Sequence, residues 1–285
     1  MKENPNRYSR RDFAKFIGGG LVVCFSDRGL AQAPKGKMPG FGPPAGASDW
    51  NAYLQIGADG RVTVFSGKIE MGQANTTALA QMAAEELAVP IDSIAMVMGD
   101  TDLCPWDMGT FGSMSVRVYG AALRSAAAEA RQILLELASE RLSVPVSGLK
   151  AENGAVAGEG KRVTYGELAR GEKITRKPAG KAAVKTPAEF RVIGQSVERL
   201  DGRAKVTGAA KYAGDLRFPG LLYAAVVRPP AHGAKLRTID TSEAEKVPGV
   251  RVVREEGLVA LLAEHPETAR LARSKVKAEY DIPDV

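Results

Sequence analysis

The alternation of apolar and polar residues predicts paired strands at residues 49–56 and 61–66. The tripeptide Ala-Asp-Gly at residues 58–60 lies between them and favours a turn, because aspartate and glycine tolerate the backbone angles of tight turns. A further strand is predicted at residues 93–98, and an Asn-Gly pair at residues 153–154 predicts the turn of a small hairpin. The first half of the chain therefore contains strand-forming segments.

Apolar residues recur at helical spacing in two longer segments. The first predicted helix covers residues 76–87 and ends before Pro90, and the second covers residues 116–142 and is rich in alanine. We expect Glu85 and Glu86 on the first helix to face solvent, because carboxylates are rarely buried. The predicted apolar faces are Leu79, Met82, Ala83 and Leu87 on the first helix, and Leu123, Ile133, Leu134, Leu137 and Leu142 on the second.

The pattern changes beyond residue 190, where short strands alternate with proline and glycine turns. Strands are predicted at residues 221–227 and 250–254, and helices at residues 242–246 and 267–279. Strands followed by helices and then by strands again are typical of an α+β fold rather than a doubly wound parallel sheet.

Two segments have the composition of linkers. Residues 34–48 are rich in proline and glycine, which favours an extended connection. Residues 170–186 are basic and hold few bulky apolar residues, so a solvated linker is favoured over a partner-binding patch. We expect a leader at residues 1–33, a linker at 34–48, a first domain at 49–169, a second linker at 170–188 and a second domain at 189–285.

The N-terminus has the form of an export signal. Arg10 and Arg11 precede an apolar, glycine-rich run at residues 16–25, which is too short to span a bilayer and resembles the start of a twin-arginine signal. Residues 31–33 have the small-x-small form of a cleavage site, although Pro34 disfavours cutting there. We expect a periplasmic location, or one at the periplasmic face of the membrane. The alternative is an N-terminal amphipathic helix with a chance arginine pair.

Charge and rare residues narrow the chemistry. The formal net charge is +6, but half of it comes from residues 1–33 and the remainder is well mixed, so nucleic-acid binding is not expected. The two cysteines, Cys24 and Cys104, allow no disulfide framework or iron–sulfur ligation within the chain, and Cys104 is expected to pack as a small apolar residue. His232 and His265 lie far apart near prolines, which argues against a metal site.

Candidate chemistry lies in two loops of small and hydroxyl residues, each before a predicted helix. The first contains Gly72 and Gln73, and the second contains Gly112, Ser113, Met114 and Ser115. A helix start presents backbone N–H groups and the positive end of the helix dipole, which suit an anionic ligand. Taken singly, Gly72 could be a turn residue, and Ser113 or Ser115 could cap the helix. Two such loops acting together would suit a long ligand with a phosphate or several polar edges.

The combination of motifs resembles the molybdopterin-binding large subunits of the xanthine dehydrogenase/aldehyde oxidase superfamily. The order of parts is most similar to the isoquinoline 1-oxidoreductase and nicotinate dehydrogenase type, and the resemblance spans essentially the whole chain. The matching residues are Glu70 to Gln73, Thr77, Gln81, Gly99 to Thr101 and Gly109 to Ser115 in the first half, and Gly194 to Ser196, Arg199 to Asp201, residues 205–213, Asp215 and Arg228 to Pro230 in the second.

The resemblance implies a fold and a cofactor. It implies a partial molybdopterin-binding domain followed by an aldehyde-oxidase-type a/b hammerhead domain. Gly72, Gln73, Gly112, Ser113, Met114 and Ser115 would bind the cofactor, molybdopterin, for which the cytosine dinucleotide form is one option. The family has glycine where this chain has Ala74, so the backbone approach there would be tighter.

The resemblance also implies an activity and partners. Such enzymes oxidise an N-heterocycle or an aldehyde with water as the oxygen source and pass electrons to a small 2Fe–2S subunit, with a cytochrome c as one possible acceptor. The family's glycine-rich loop and catalytic glutamate lie in later segments, so we assign no catalytic or metal-ligating residue here. We expect a truncated or split component that needs the C-terminal part of the large subunit. The alternative is a non-catalytic binding or assembly module that retains the fold.

Overall fold

The computed structural model describes residues 20–25, 52–170, 173–176, 182–255 and 257–283. The chain divides into two compact units, Met1–Ala209 and Ala210–Val285. The predicted linker at residues 34–48 and the arginine pair of the predicted leader lie outside the described residues. None of the described helices combines the length and the apolar character needed to cross a membrane.

A five-stranded sheet forms the centre of the first unit. Its strands are β1 (Gly20–Phe25), β2 (Ala52–Gly57), β3 (Val62–Ser66), β4 (Ile94–Met98) and β8 (Lys173–Arg176). The spatial order is β4-β3-β2-β1-β8. The neighbours β1 and β2 are antiparallel, as are β2 and β3, whereas β3 runs parallel to β4 and β1 runs parallel to β8.

Strand β1 comes from the apolar run that resembles part of an export signal. It lies between β2 and β8, and all six of its residues are buried. Leu21, Val23 and Phe25 join the main core, while Val22 and Cys24 pack on the opposite face with Tyr53. The run is rich in β-branched and aromatic residues, which suit a strand that is buried on both faces.

Two helices cover the sheet and supply most of the core. Helix α1 (Asn75–Leu87) connects β3 to the parallel strand β4, and helix α2 (Gly120–Leu142) packs against α1. A single π-helical turn, Ser115–Tyr119, precedes α2. The predicted periodicity is confirmed, since Leu79, Ala83 and Leu87 of α1 and Leu123, Ala126, Ala127, Ala130 and Leu134 of α2 have no exposed surface.

A small antiparallel sheet completes the first unit. Its strands are β5 (Lys150–Glu152), β6 (Ala155–Gly158) and β7 (Lys161–Thr164), and helix α3 (Tyr165–Ala169) follows. The predicted Asn-Gly turn is confirmed, with Asn153 at φ 48° and Gly154 at φ 70°. The Tyr165 hydroxyl donates to the Leu87 carbonyl at 2.6 Å, which attaches this sheet to the end of α1. Burial raises the pKa of Tyr165 well above its usual range, so the hydroxyl stays a donor.

The segment predicted as a solvated linker is partly fixed to the first unit. Residues 173–176 form strand β8, and the chain from Lys185 onward is bonded to α1 before it enters helix α4 (Gly202–Val206). The structure divides the chain after Ala209, beyond the predicted linker at residues 170–188. Composition misled here, because a lysine of this segment finds a carboxylate partner on a distant helix.

The second unit combines strands and short helices. Strands β9 (Tyr223–Val226), β11 (Arg251–Glu255) and β12 (Leu258–Ala263) form an antiparallel sheet in the order β11-β12-β9. Leu261 has no exposed surface and packs with Ala244 and Ala272 in a small core. The remaining elements are β10 (Lys235–Asp240), helix α5 (Ser242–Glu245), helix α6 (Pro266–Ser274) and β13 (Lys277–Asp281), and β10 pairs with β13.

The predicted helix at residues 267–279 is wrong in its second half. Helix α6 ends at Ser274, and Lys277–Asp281 is instead strand β13. In this strand Tyr280 lies opposite Leu236 and Ala278 lies opposite Ile239. That pairing joins residues about forty positions apart, so local periodicity does not reveal it. The mixed helix-and-sheet class predicted from the sequence is otherwise confirmed.

Candidate functional site

The two loops predicted to share a ligand lie side by side in the first unit. The first loop (residues 67–74) connects β3 to α1, and the second loop (residues 107–115) leads into α2. The Lys68 ammonium donates to Asp107 Oδ1 and to the Gly109 carbonyl, both at 2.8 Å. The Ile69 N–H donates to Thr110 Oγ1 at 2.9 Å. These bonds join residues 39 to 41 positions apart and hold the loops together.

The pair formed by Lys68 and Asp107 is buried. The two side chains are 5% and 1% exposed. Asp107 also accepts from the Gly109 N–H at 2.8 Å, so its carboxylate orders the start of the second loop as well. Sequence reasoning assigned no role to either residue, because their partnership crosses a long separation.

The carboxylate of Glu70 organises the first loop. Its Oε1 accepts from the N–H groups of Gly72 at 2.7 Å and Ala74 at 3.0 Å, and its Oε2 accepts from the Thr76 N–H at 3.2 Å. Partial burial favours a raised pKa for Glu70, but the hydrogen bonds from Thr76, Ala74 and Gly72 prevail and lower it. The backbone donors predicted to receive an anionic ligand at this helix start are therefore bonded to an anion of the chain itself.

Gln73 uses both ends of its amide within the first loop. Its Oε1 accepts from the Met71 N–H at 2.5 Å, and its Nε2 donates to the Ile69 carbonyl at 3.1 Å. Asn75 Nδ2 donates to the same carbonyl at 3.0 Å. Gln73 thus fixes the loop's backbone rather than extending its side-chain amide away from it.

Two residues of the first loop have left-handed backbone angles. Gly72 has φ 105°, and a Cβ there would meet no atom within 4 Å, so the space beside it is open. Ala74 has φ 63° and ψ 23°, a conformation that is costly for any residue with a side chain. The Gly72 carbonyl accepts from Arg199 Nη1 at 3.2 Å.

The second loop keeps donors available. Gly112 and Ser113 have φ values of 64° and 55°, and both residues are exposed. Among the described residues, none accepts a hydrogen bond from the N–H of Gly112 or from the N–H or hydroxyl of Ser113. Successive N–H groups next to a helix start form a concave site for an anion. The N–H groups of Gly112 and Ser113 precede the N-cap residue Met114, so they belong to the loop before the helix start.

The serines of the second loop do not cap the helix. The N-cap position is Met114, and no side chain bonds to the first turn. Ser115 is buried, while Met114 is partly exposed. The capping role considered for Ser113 and Ser115 is therefore wrong, because the helix begins with a π turn instead of a standard capped turn.

Both loops, and the turn that follows the second, carry exposed apolar side chains. At least two-fifths of each of these residues is exposed, so they form an accessible apolar rim on the two loops. A flat ligand with polar edges would find both apolar contact and hydrogen-bond donors there. The rim comprises Ile69, Met71, Met108, Phe111 and Val116.

Glu85 and Glu86 are buried, contrary to the prediction that they face solvent. They are 1% and 0% exposed. Glu85 accepts from Lys185 Nζ at 2.8 Å, and Glu86 accepts from Arg124 at 2.7 Å and from Arg131 at 3.1 Å. Carboxylates are buried when they are paired and hydrogen-bonded, and here the cations come from α2 and from a segment one hundred residues later.

The remaining candidates take no part in this site. Cys104 is half-buried, its Sγ lies 3.4 Å from the Val97 carbonyl as a hydrogen-bond donor, and burial raises the pKa of its thiol. The interpretation of Cys104 as a small packed residue is confirmed. Within the described parts of the chain, no three residues among the histidines, cysteines and carboxylates converge in a way that could hold a metal ion.

The family of the chain follows from comparison with known proteins. Residues 10–209 match the family described as the molybdopterin cofactor-binding domain. The chain belongs to this family. The match covers the whole site, including both loops and the segment that carries Arg199. Together with the relatives below, it confirms the resemblance to the molybdopterin-binding subunits of the xanthine dehydrogenase family.

Curated relatives of this molybdopterin-binding chain are much longer proteins. A nicotinate dehydrogenase subunit of Pseudomonas putida is 34% identical over 80% of this chain and 20% of its own length. The beta subunit of isoquinoline 1-oxidoreductase from Brevundimonas diminuta is 31% identical over 87% of this chain and 37% of its own. A membrane-bound aldehyde dehydrogenase of Gluconacetobacter polyoxogenes, named for pyrroloquinoline quinone, is 31% identical over 95% of this chain and 37% of its own.

The residues of the site fit molybdopterin, the cofactor of the family. The exposed donors at Gly112 and Ser113, from which no described residue accepts, suit a phosphate or the polar edge of a ring system. The open space beside Gly72 allows close approach to the first loop. One of the three relatives carries a different cofactor, pyrroloquinoline quinone, in its name. The match to the molybdopterin-binding family includes the residues of both loops.

Proposed function

We propose that this molybdopterin-binding chain is a component of a molybdenum-dependent oxidoreductase and holds the cofactor through its second loop. The observation that carries the proposal is the pair of exposed donors on Gly112 and Ser113, from which no described residue accepts, beside a first loop whose donors are already bonded. Met114 and Ser115 complete the loop and set its entry into α2. The chain spans 20% to 37% of the length of the three relatives.

Each part of the site has a definite task in this proposal. When bound, the cofactor supplies the redox chemistry by which a substrate carbon is oxidised with water as the oxygen source. The second loop binds an anionic or polar edge of the cofactor, and the apolar rim shields that contact from water. The first loop supports the second through Lys68 and Ile69. None of these tasks moves a proton.

We infer the substrate class from the relatives. Their names include nicotinate, isoquinoline and aldehyde, which share a carbon made electron-poor by a ring nitrogen or a carbonyl oxygen. An N-heterocycle or an aldehyde is therefore the proposed substrate. Discrimination between them requires pocket residues, and this chain supplies one wall of the site.

The proposal also includes partners and a location. We propose a small 2Fe–2S subunit as the electron acceptor and a cytochrome c as the terminal acceptor. We also propose a partner that supplies the rest of the large subunit and carries the catalytic base. The names of the relatives support an assembly, because two of the three are called subunits. The cytosine dinucleotide form of the cofactor and twin-arginine export to the periplasm complete the proposal, with the leader retained because its residues 20–25 form the buried strand β1. The Arg10-Arg11 pair supports the export route.

A matched pair of variants tests the cofactor role of the second loop. Ser113 and Ser143 are both exposed and both have φ near 54°, but Ser143 lies at the far end of α2. In the native assembly, Ser113→Asp places a negative charge beside the available donors and is expected to lower molybdenum and pterin content about tenfold, the effect of roughly 1.4 kcal/mol of lost affinity. Ser143→Asp is expected to leave both contents unchanged. Equal contents in the two variants would contradict the proposal.

A second candidate is a binding or assembly module without catalysis. The bonded state of the first loop favours it, since Glu70 supplies that loop with an anion of its own. This candidate predicts a stable chain that purifies without molybdenum or pterin, even together with the product of an adjacent reading frame. Metal analysis of that co-purified material separates the two candidates.

A further inference from the structure

An irregular segment of the first unit follows helix α1 along most of its length. We call this segment, residues 185–201, the strap. Lys185 Nζ donates to Glu85, and Glu85 Oε2 also accepts from the N–H groups of Arg191, Val192 and Ile193 at 2.7, 2.6 and 3.1 Å. One buried carboxylate therefore fixes the beginning of the strap at the C-terminal end of α1.

The rest of the strap is held by polar residues one turn apart on α1. Gln81 Nε2 donates to the carbonyls of Val192 at 3.0 Å and Gln195 at 3.1 Å. Thr77 Oγ1 accepts from the Leu200 N–H at 3.1 Å. Thr77, Gln81 and Glu85 are spaced four residues apart, so they form one stripe along the helix. Thr77 and Gln81 belong to the motif that resembles the cofactor-binding pattern, yet here they bind the strap.

The strap ends by placing Arg199 at the first loop. Asp201 holds the guanidinium through two hydrogen bonds, from Nε at 2.9 Å and from Nη2 at 3.0 Å. The Nη1 atom donates to the Gly72 carbonyl at 3.2 Å, and Nη2 lies 3.5 Å from Glu70 Oε1. Arg199 thus contacts both the backbone of the loop and the carboxylate that organises the loop's N–H groups.

We propose that Arg199 is a positioning residue for the first loop. It is held there by the strap, which is bonded to the stripe on α1. Its guanidinium holds the Gly72 carbonyl and the Glu70 carboxylate in one arrangement, so the loop keeps the shape that supports the ligand-binding second loop. The side chain acts on the ligand through the loop backbone. This inference rests on the proposed function for its effect on the cofactor, and on the contacts alone for its effect on the loop.

Arginine is required because its two tasks need a planar fork. Two of its nitrogens bind Asp201 and a third binds the Gly72 carbonyl, whereas a lysine ammonium is a single point charge on a flexible chain. Arg199→Lys keeps a positive charge at this position. It is not expected to keep the order of the loop. Arg203 is the matched control, since it is exposed on α4 and lies four residues away.

Hydrogen exchange of the loop tests the inference without reference to the cofactor. In Arg199→Gln, backbone amides of residues 70–76 are expected to exchange about tenfold faster than in the wild type, because local opening becomes easier. Arg203→Gln is expected to show wild-type exchange. Thr77→Val, which removes the acceptor for the Leu200 N–H, is expected to shift exchange in the same direction by a smaller factor. Unchanged loop exchange in a folded Arg199→Gln protein would overturn the inference.

Cofactor content separates this inference from the proposed function. In the native assembly, Arg199→Gln is expected to lose at least half of the molybdenum and pterin of the wild type while its thermal midpoint stays within about 2 °C, as for surface substitutions. Arg199→Lys, which does not restore the order of the loop, is expected to lose a similar share. If the wild type holds cofactor and Arg199→Gln holds as much, the inference fails. If the wild type holds none while loop exchange still responds, the proposed function fails and the positioning role remains.

Discussion

Lys68 and Asp107 form an ion pair of 2.8 Å between two loops that are 39 residues apart in sequence, and both side chains are almost fully enclosed. The pair holds the first loop and the second loop against each other, so that they form one surface. Removal of one partner would leave the other charge buried without its countercharge, which is costly in a protein interior. The stability of this surface therefore depends on both residues being present together.

A double-mutant cycle measures that dependence. Lys68→Met is expected to lower the free energy of unfolding of the first unit by about 3 to 5 kcal/mol, and the double variant Lys68→Met/Asp107→Leu by less. Both tryptophans, Trp50 and Trp106, precede residue 210, so fluorescence in a denaturant titration reports on the first unit. The control is Lys150→Met, since Lys150 pairs with Glu152 on the surface, and a change below about 0.5 kcal/mol is expected. Equal losses in the single and double variants would contradict the buried pairing.

Low pH is expected to weaken the attachment of the strap to α1, because Glu85 becomes protonated. Burial opposes ionisation of Glu85, but Lys185 and the N–H groups of Val192, Arg191 and Ile193 outweigh it and lower the pKa of Glu85 to about 2. A carboxyl group with a lowered folded-state pKa stabilises the fold above its unfolded pKa of about 4.5. That contribution is lost as the pH falls from about 4.5 to about 2.

The acid effect can be measured as a pH dependence of unfolding. Between pH 5 and pH 2 the wild type is expected to lose on the order of 3 kcal/mol more stability than Glu85→Gln, which has no carboxyl group to protonate at this position. Glu140→Gln, at an exposed glutamate on α2, is expected to follow the wild-type curve. Parallel curves for the wild type and Glu85→Gln would rule out a stabilising role for the ionised carboxylate.

Ala74 and Ala88 offer a gain in stability at the two ends of α1. Both have left-handed backbone angles, with φ 63° and 53°. Glycine adopts this conformation without a steric penalty. Ala74→Gly and Ala88→Gly are therefore each expected to raise the free energy of unfolding by about 0.5 to 1 kcal/mol, which would be seen as a higher melting temperature. Ala78→Gly, within the helix, should lower stability by about 1 kcal/mol. A destabilised Ala74→Gly protein would show that its alanine methyl makes contacts that outweigh the backbone strain.

Strand β1 gives a prediction about the N-terminal region. Phe25 is 4% exposed, belongs to the main core and contacts Tyr119, with 5.6 Å between ring centroids. Phe25→Ala is expected to cost about 3 to 5 kcal/mol, as for other large core aromatics. Cys24→Ala on the same strand removes one sulfur atom and should cost less than half as much. Denaturant unfolding followed by tryptophan fluorescence gives both values, and a cost for Phe25→Ala below that of Cys24→Ala would argue against a buried β1.

The two long helices α1 and α2 and the first hairpin can be predicted from the sequence because their signals are local. Leu79, Ala83 and Leu87 recur every four residues and are buried as predicted, and Pro90 follows the end of that helix. Periodicity also places the start of the second long helix within about a turn, although it does not reveal the π-helical start. Local signals of this kind come from side-chain periodicity, which does not depend on distant partners.

The internal bonding of the site cannot be predicted, because it depends on pairings across long separations. A helical wheel assigns Glu85 to solvent, and only the fold reveals Lys185 as its partner. The loop motifs place Gly72 and Ser113 near helix starts, but no pattern indicates that Glu70 occupies the donors of one loop and leaves those of the other. Arg199 is part of a recognisable motif, yet its contact with Gly72 spans 127 residues.

The position of β1 in the sheet also has a consequence for synthesis of the protein. β1 leaves the ribosome first among the five strands, but its parallel neighbour β8 ends at Arg176. At usual translation rates the roughly 150 residues between them take about ten to thirty seconds to emerge. Strands β2, β3 and β4 with helix α1 are complete well before then. The earliest strand to be made is thus the last to gain its second neighbour, and the nascent chain waits with one edge of β1 unpaired.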